Sequence, residues 1–109
     1  MVQFESTLER DLIYLLDFDR RVASFEEQPL KIVYQHEGKA LSYTPDFQVA
    51  FAGGQTALLE CKPCRFVNSE VNQRKFDAAR AWCAVRQWQF RIVTDEQIKA
   101  GYRVKMSNY

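Results

Sequence analysis

Residues 43–63, YTPDFQVAFAGGQTALLECKP, form the stretch that decides the fold of this 109-residue chain. Apolar residues alternate in FQVAF (47–51), which predicts a strand with one buried face. Gly53-Gly54 predicts a turn, and TALLECK (56–62) predicts a return strand that stops before Pro63. The stretch is therefore predicted to be a β-hairpin within a sheet.

Two registers are open to this hairpin, and they place Asp46 differently. With a two-residue loop at Gly53-Gly54, Asp46 points away from Glu60 and Lys62. With a three-residue loop over 52–54, Asp46 lies opposite Glu60, and the apolar residues of both strands share one face. Two glycines also accommodate the positive φ that three-residue loops need. We therefore predict the second register, which brings Asp46, Glu60 and Lys62 together.

The segments around this hairpin complete an α/β pattern. Leucines at helical spacing predict a helix over residues 5–17, and Ser69 is placed to cap a helix over 69–86. Thr94 and Gln97 form a capping-box pair that opens a short last helix. The predicted strands are VASFEEQ, LKIVYQH, ALSY continuing as FQVAF, TALLECK and FRIVT. The order α-β-β-β-β-α-β-α predicts a mixed β-sheet flanked by helices, with a right-handed crossover from TALLECK to a central strand FRIVT.

Length and composition bound the class of protein. A chain that is 47% hydrophobic and 14% aromatic fits one globular domain of this size. We assign residues 1–109 to a single domain, with a core over about 4–100 and a short C-terminal tail, 101–109. The sequence has no apolar run that could span a bilayer and no signal peptide, so no membrane partner and a cytoplasmic location are expected.

Charge is distributed unevenly along the chain. The net charge is +1, but residues 1–60 carry five Lys/Arg against ten Asp/Glu, whereas residues 61–109 carry ten against four. An acidic half that could hold cations and a basic half that could hold phosphates would suit a metal-dependent nuclease.

Three charged residues at the open end of the hairpin predict a metal site. Glu60 and Lys62 are two apart on one strand, so they point to the same side, and the predicted register brings Asp46 beside them. Neighbouring carboxylates repel unless a cation lies between them, and Mg²⁺ needs only one or two carboxylates together with water and phosphate oxygens. Lys62 would stabilise charge on the phosphate or position a water. The alternative is a surface ion pair at a strand end.

Other chemical patterns favour structural roles. Cys61 and Cys64 have the C-x-x-C spacing of a zinc or redox site, but Cys61 is predicted to face the apolar layer, and the chain has just one further Cys (Cys83) and one His. His36, the single histidine, is expected to be exposed beside a turn, which argues against a nuclease built on paired histidines. Trp82 and Trp88 are expected in the core.

The ordered motifs resemble a known nuclease family. Pro45-Asp46 followed by Glu60-x-Lys62, after a helix that carries Glu9, is similar to the PD-(D/E)xK nuclease superfamily. More narrowly, strings across roughly residues 4–100 resemble the N-terminal catalytic domain of TnsA, the endonuclease subunit of heteromeric cut-and-paste transposases. These strings are STLERD, LLDFD, FEEQP, YTPDF, LECKP, KFDAA and FRIVTDEQI. The resemblance implies a restriction-endonuclease-like fold.

The resemblance also implies a role for each residue of the predicted site. Asp46 would be the metal-bridging carboxylate, and Glu60 would be the second acidic ligand. The backbone carbonyl of Cys61 would supply another metal oxygen, and Lys62 would be the catalytic lysine.

Four further residues extend this predicted site. Glu9 would be the helix carboxylate, because it stands in the S-x-x-E string of the family, and Glu5, one turn earlier, competes for that role. Gln28 would orient a ligand or the substrate, or else serve a structural role at a strand end. Lys75 would reach a phosphate, or else lie on the surface as a solvated lysine.

The function implied by the resemblance is that of a Mg²⁺-dependent endodeoxyribonuclease, with Mn²⁺ as a substitute metal. DNA would be the substrate, and transposase and ATPase subunits would be partners, in a homodimer or hetero-oligomer. The chain stops soon after the catalytic fold, where the TnsA subunit continues into a partner-binding domain, so the transposition role stays open. The alternatives are a resolvase, repair or restriction nuclease of the same superfamily, and a catalytically idle DNA-binding module of the same fold.

Overall fold

A computed structural model describes the backbone of residues 3–101 and the side chains of residues 7–101. The elements in this part of the chain confirm the predicted α/β pattern. In order they are α1 (Gln3–Phe18), β1 (Val22–Glu27), β2 (Ile32–His36), β3 (Lys39–Tyr43), β4 (Phe47–Phe51), β5 (Thr56–Lys62), a 3₁₀ helix (Cys64–Phe66), α2 (Glu70–Arg86), β6 (Gln89–Thr94) and α3 (Asp95–Lys99). Of the predicted tail, residues 102–109 lie outside the described part.

The strands form two sheets rather than the single sheet that was predicted. Within residues 3–101, one sheet has the order β1-β4-β5-β6, in which β1, β4 and β5 are antiparallel neighbours and β6 runs parallel to β5. The β2–β3 hairpin is a separate two-stranded sheet. ALSY and FQVAF therefore belong to different sheets. Buried Pro45, which has no N–H for a ladder, lies in the break between them.

The prediction that FRIVT is a central strand is wrong. β6 lies at one edge of the four-stranded sheet. Its apolar residues suggested burial on both faces, but Gln89 and Arg91 alternate with Phe90 and Ile92, and Val93 alone in the strand is buried. A strand that is partly exposed in this way suits an edge position.

The β4–β5 hairpin has the predicted register. Its ladder begins with Phe47 opposite Leu59. It closes where the N–H of Phe51 donates to the carbonyl of Gln55 at 2.8 Å, so the loop contains three residues. Gly54 within the loop has a φ of +96°, a conformation that a side chain would strain. When this register is continued by one residue beyond Phe47 and Leu59, Asp46 lies opposite Glu60.

One face of the four-stranded sheet packs against α1 and α3. The leucines of α1 follow helical spacing and cover the apolar face of β4 and β5, which confirms the single apolar layer predicted for this hairpin. The buried residues of this layer are Leu8, Leu12, Leu16, Phe47, Val49, Phe51, Ala57, Leu59, Cys61, Val93 and Ile98.

The opposite face of the sheet packs against α2 and the β2–β3 hairpin. Trp82 and Trp88 meet edge to face in this layer, with 5.3 Å between ring centroids, and both pack against its buried residues, as predicted. The buried residues of the layer are Ile32, Tyr43, Leu58, Ala79 and Cys83.

The predicted helix caps are present. The hydroxyl of Ser69 accepts a hydrogen bond from the N–H of Asn72 at 3.2 Å, so α2 begins where its cap predicts. Thr94 and Gln97 form a complete capping box at the start of α3. No helix among residues 3–101 is both long and apolar enough to cross a membrane.

Helix α1 offers a test of this packing through two residues that differ in burial. Leu12 is fully buried, whereas Phe18, on the same helix, is 83% exposed. We expect Leu12→Ala to lower the free energy of unfolding by about 2–5 kcal/mol, because it leaves a cavity under the sheet. Phe18→Ala should change it by less than about 0.5 kcal/mol. Urea unfolding followed by circular dichroism measures both, and equal losses would contradict the packing described.

Candidate active site

The predicted site lies where β4 begins and β5 ends, and Asp46 is anchored there through its backbone. The N–H of Asp46 donates to the carbonyl of Leu59 at 3.1 Å, and its own carbonyl accepts from the N–H of Gln28 at 2.9 Å. The carboxylate of Asp46 in turn accepts through Oδ2 from the N–H of Cys61 at 2.8 Å. The residue is therefore fixed to β5 on one side and to the end of β1 on the other.

The carboxyl of Glu60 is buried beside Asp46. Oε1 of Glu60 accepts from the hydroxyl of Tyr43 at 2.6 Å, and Oε2 lies 3.6 Å from Nζ of Lys62. Burial is the largest influence on the Glu60 pKa and raises it. The hydrogen bond from Tyr43, the positive charges of Lys62 and Lys75, and a side-chain hydrogen bond with Asp46 all lower the same pKa. The side chains of Asp46 and Glu60 therefore lie close enough to interact, as expected from the predicted register.

Lys62 and Lys75 give this carboxyl pair positive neighbours from two different elements. Lys62 follows Glu60 on the same side of β5, and its side chain is 16% exposed. Lys75, on α2, is close enough for its charge to act on Glu60. Because both lysines lie near the buried carboxyl of Glu60, beside half-buried Asp46, the site could hold a cation and a phosphate together.

The helix carboxylate predicted for the site remains a prediction. Glu9 is half-buried on α1. The pKa of the Cys61 thiol is raised first by burial, then by the charges of Asp46 and Glu60, and also by that of Glu9, so Glu9 lies near the end of β5. In the part of the chain that the structure describes, no three His, Cys, Asp or Glu side chains are grouped closely enough to hold a metal. The side chain of Glu5 lies outside the described residues.

A comparison with protein families agrees with this geometry. The family model for the N-terminal domain of TnsA-like endonucleases matches residues 19–95, which is more than half of the chain. The chain belongs to this family. The match includes Asp46, Glu60 and Lys62, but it is narrower than the resemblance over residues 4–100 and begins after α1. No curated protein matches the chain.

Gln28 supports the site of this TnsA-like domain through its backbone. The residue is exposed, it has a φ of +46°, and its N–H holds the carbonyl of Asp46. Non-glycine residues adopt this left-handed conformation at a cost, so the surrounding hydrogen bonds must hold Gln28 there. The contact supports the structural role considered for Gln28, and a role of its side chain toward a substrate stays a prediction.

Tyr43 is the residue of the TnsA-like site that the sequence analysis missed. It is 5% exposed and donates the shortest hydrogen bond described for Glu60. The signal in the sequence was its position three residues before Asp46, at the end of a predicted strand. That position does not reveal the contact, because Tyr43 and Glu60 lie in different sheets, 17 residues apart in the chain.

The three cysteines of this TnsA-like domain are free thiols, two of them buried. Cys61 faces the apolar layer beneath α1, as predicted, and Cys64 is exposed after the end of β5. The two residues of the C-x-x-C string thus differ in environment. His36 is half-buried rather than exposed, and its Nε2 lies 3.6 Å from a carboxylate oxygen of Glu37.

Thiol reactivity tests this description. Burial raises the pKa of the Cys83 thiol to about 11, and it also raises the pKa of Cys61 well above its usual value. The thiolate is the reactive form of cysteine. In native protein at pH 8, iodoacetamide should therefore alkylate Cys64 at least about tenfold faster than it alkylates Cys61 or Cys83. Mass spectrometry of timed digests would measure this. Urea-unfolded protein, as the control, should react at all three positions, and rapid native labelling of Cys61 would contradict the buried layer.

Proposed function

We propose that this TnsA-like domain is a divalent-metal-dependent endonuclease that hydrolyses phosphodiester bonds of DNA. The observation that carries the proposal is the placement of Asp46 opposite buried Glu60, with Lys62 paired to Glu60, in a chain of an endonuclease family. The alternative, a solvated ion pair at a strand end, does not suit Glu60, which is 6% exposed. The stabilisation from a surface ion pair is also too small to offset the cost of burying a charge.

The donor atoms at this site suit a hard divalent cation. Asp46 and Glu60 offer carboxylate oxygens, and the N–H and carbonyl of a strand residue point to the same neighbouring strand, so the carbonyl of Cys61 is directed to the side of Asp46. Mg²⁺ needs one or two carboxylates and takes its other ligands from water and phosphate. When bound, Mg²⁺ would polarise the phosphate and acidify a water. Mn²⁺ accepts the same oxygen ligands and would substitute for it.

The lysines of the site would act on the phosphate. In hydrolysis, a water oxygen adds to phosphorus and the bond from phosphorus to the 3′-oxygen breaks, leaving a 5′-phosphate and a 3′-hydroxyl. Negative charge grows on the phosphate oxygens during this step, and Lys62, with three N–H donors, would donate to one of them. Lys75 on α2 would attract an adjacent phosphate of the same strand without reading its base.

The biological context proposed for this activity is cleavage of DNA at transposon ends. The family is defined on TnsA-like endonucleases, and the match covers the hairpin that carries the site. Specific DNA recognition usually buries about 1,000–2,500 Å² of protein surface, which is much to ask of one small domain. We therefore assign target choice to partners, either transposase and ATPase subunits or a second copy of this chain.

Plasmid cleavage tests the proposed chemistry. Wild-type protein should nick or linearise plasmid in Mg²⁺ or Mn²⁺ and should lose this activity in EDTA. Asp46→Asn, Glu60→Gln and Lys62→Met should each slow cleavage at least about 100-fold, because each removes a metal ligand or the donor to the phosphate. Agarose gel kinetics would measure the rates, and end labelling would identify 5′-phosphates.

Matched controls for these substitutions lie outside the site. Asp77→Asn removes a carboxylate that pairs with Arg80 on the exposed side of α2, and Lys99→Met removes a lysine in the last turn of α3. Both should cleave within about twofold of wild type. Plasmid binding without cleavage by wild type, in either metal, would favour the catalytically idle DNA-binding module instead.

The identity of the helix carboxylate requires its own comparison. Glu9 and Glu5 are one turn apart on α1, so Glu9→Gln and Glu5→Gln make the same chemical change at neighbouring positions. We expect Glu9→Gln to raise the Mg²⁺ concentration needed for half-maximal cleavage by about 10-fold or more, and Glu5→Gln to leave it within about twofold. The reverse result would assign the role to Glu5.

A further inference from the structure

The phenol of Tyr43 connects the separate β2–β3 sheet to the carboxyl pair. Tyr43 is the last residue of β3, and its ring is buried against the layer beneath α2. Its hydroxyl donates to Oε1 of Glu60 over 2.6 Å. This distance lies within the range of about 2.5–2.7 Å that hydroxyl groups show to ionised carboxylates. The contact therefore ties Glu60 to an element outside its own sheet.

The two carboxylate oxygens of Glu60 have partners that differ in conformational flexibility. Oε1 is held by a phenol whose ring is fixed by packing, whereas Oε2 lies 3.6 Å from the ammonium group of Lys62. A lysine ammonium moves on a flexible four-carbon chain, so it can leave the carboxylate when a cation or phosphate arrives. An ionised carboxylate has about four acceptor positions, and the phenol uses one of them. The phenol therefore occupies only part of the acceptor capacity of Glu60.

We propose that Tyr43 is a positioning residue for the divalent cation, because its hydroxyl fixes the carboxylate of Glu60 beside that of Asp46. The inference rests on the proposed metal-dependent function of the same site. Tyr43 acts through Glu60 and does not itself bind the cation or the DNA. Partners that orient a ligating carboxylate typically contribute about 10–100-fold to metal affinity or activity.

Two roles of Tyr43 can be separated, since its ring and its hydroxyl have different neighbours. The ring packs with Ile32, Leu58 and Ala79, and this packing is purely structural. Tyr43→Phe keeps the ring and removes the hydroxyl alone. Tyr34→Phe is the matched control. Tyr34 belongs to the same hairpin and packs against the same cluster, and it is not among the residues described in contact with Glu60.

The primary measurement is the binding of Mn²⁺ in the absence of DNA. The electron paramagnetic resonance signal of the unbound ion reports how much Mn²⁺ is bound. Tyr43→Phe should raise the Kd for Mn²⁺ by about 10–100-fold, and Tyr34→Phe should leave it within about twofold of wild type. Thermal unfolding in EDTA should show both variants folded. In plasmid cleavage, saturating Mn²⁺ should restore much of the rate of Tyr43→Phe but none of the rate of Asp46→Asn.

Three outcomes bear on the inference. If Tyr43→Phe binds Mn²⁺ as tightly as Tyr34→Phe does, the positioning role of the hydroxyl is disproved while the metal site stands. If wild type binds no more Mn²⁺ than Asp46→Asn does, the proposed function itself fails, and the role of Tyr43 fails with it.

Should Tyr43→Phe not fold, wild-type protein labelled with 3-fluorotyrosine replaces it. The ¹⁹F resonance of Tyr43 must then shift on addition of Mg²⁺ in wild type and stay unshifted in Asp46→Asn, and a resonance that does not respond to Mg²⁺ disproves the inference.

Discussion

The burial of the Glu60 carboxyl is the constraint on which the rest of the site depends. Removing a carboxylate from water costs several kcal/mol unless hydrogen bonds and opposite charges compensate. Here the compensation comes from three elements at once: Tyr43 at the end of β3, Lys62 on β5 and Lys75 on α2. The β2–β3 hairpin and the second helix are therefore parts of the site's electrostatics as well as parts of the core. The hydroxyl of Tyr43 is the contact that brings the separate small sheet into this compensation.

The two faces of the four-stranded sheet have different tasks, and strand alternation keeps them apart. On β5, Leu59 and Cys61 face the apolar layer under α1, while Leu58 and Glu60 face α2 and the hairpin. The side-chain period of a strand is two, so a shift of one residue in the β4–β5 pairing would carry Asp46 away from Glu60 and would also expose the apolar layer. The packing that stabilises the fold thus selects the register that assembles the site. For this reason, the site geometry is specified by hydrophobic burial more than by any attraction between the carboxyls, which repel each other.

How much of this could be predicted from the sequence depends on whether a contact is local. The β4–β5 register followed from the alternation of apolar residues and from two adjacent glycines, and the caps at Ser69 and Thr94 followed from side chains that satisfy nearby backbone groups. The contact between Tyr43 and Glu60 could not be predicted, because it joins strands of two sheets whose relative placement depends on tertiary packing. The edge position of β6 was missed for a related reason: an apolar run indicates a strand, but the number of its neighbours is a property of the topology. The break at Pro45 divides one predicted strand between two sheets. Its cause is local, because a proline has no N–H to donate to a ladder, and a proline can therefore indicate the end of a strand.

The extent of the family match bears on the role of α1. The match begins at residue 19, after α1, although Leu8, Leu12 and Leu16 of that helix complete the buried layer beneath the hairpin. Helix α1 therefore contributes to the core whether or not it also contributes a carboxylate to the site. Because Glu9 lies half-buried on the same helix, deletion of α1 would remove the leucine packing and this carboxylate together, so it could not distinguish the two contributions. A substitution that removes one charge and preserves the leucine packing separates the two contributions, since burial acts through the apolar layer and ligation acts through a single carboxyl.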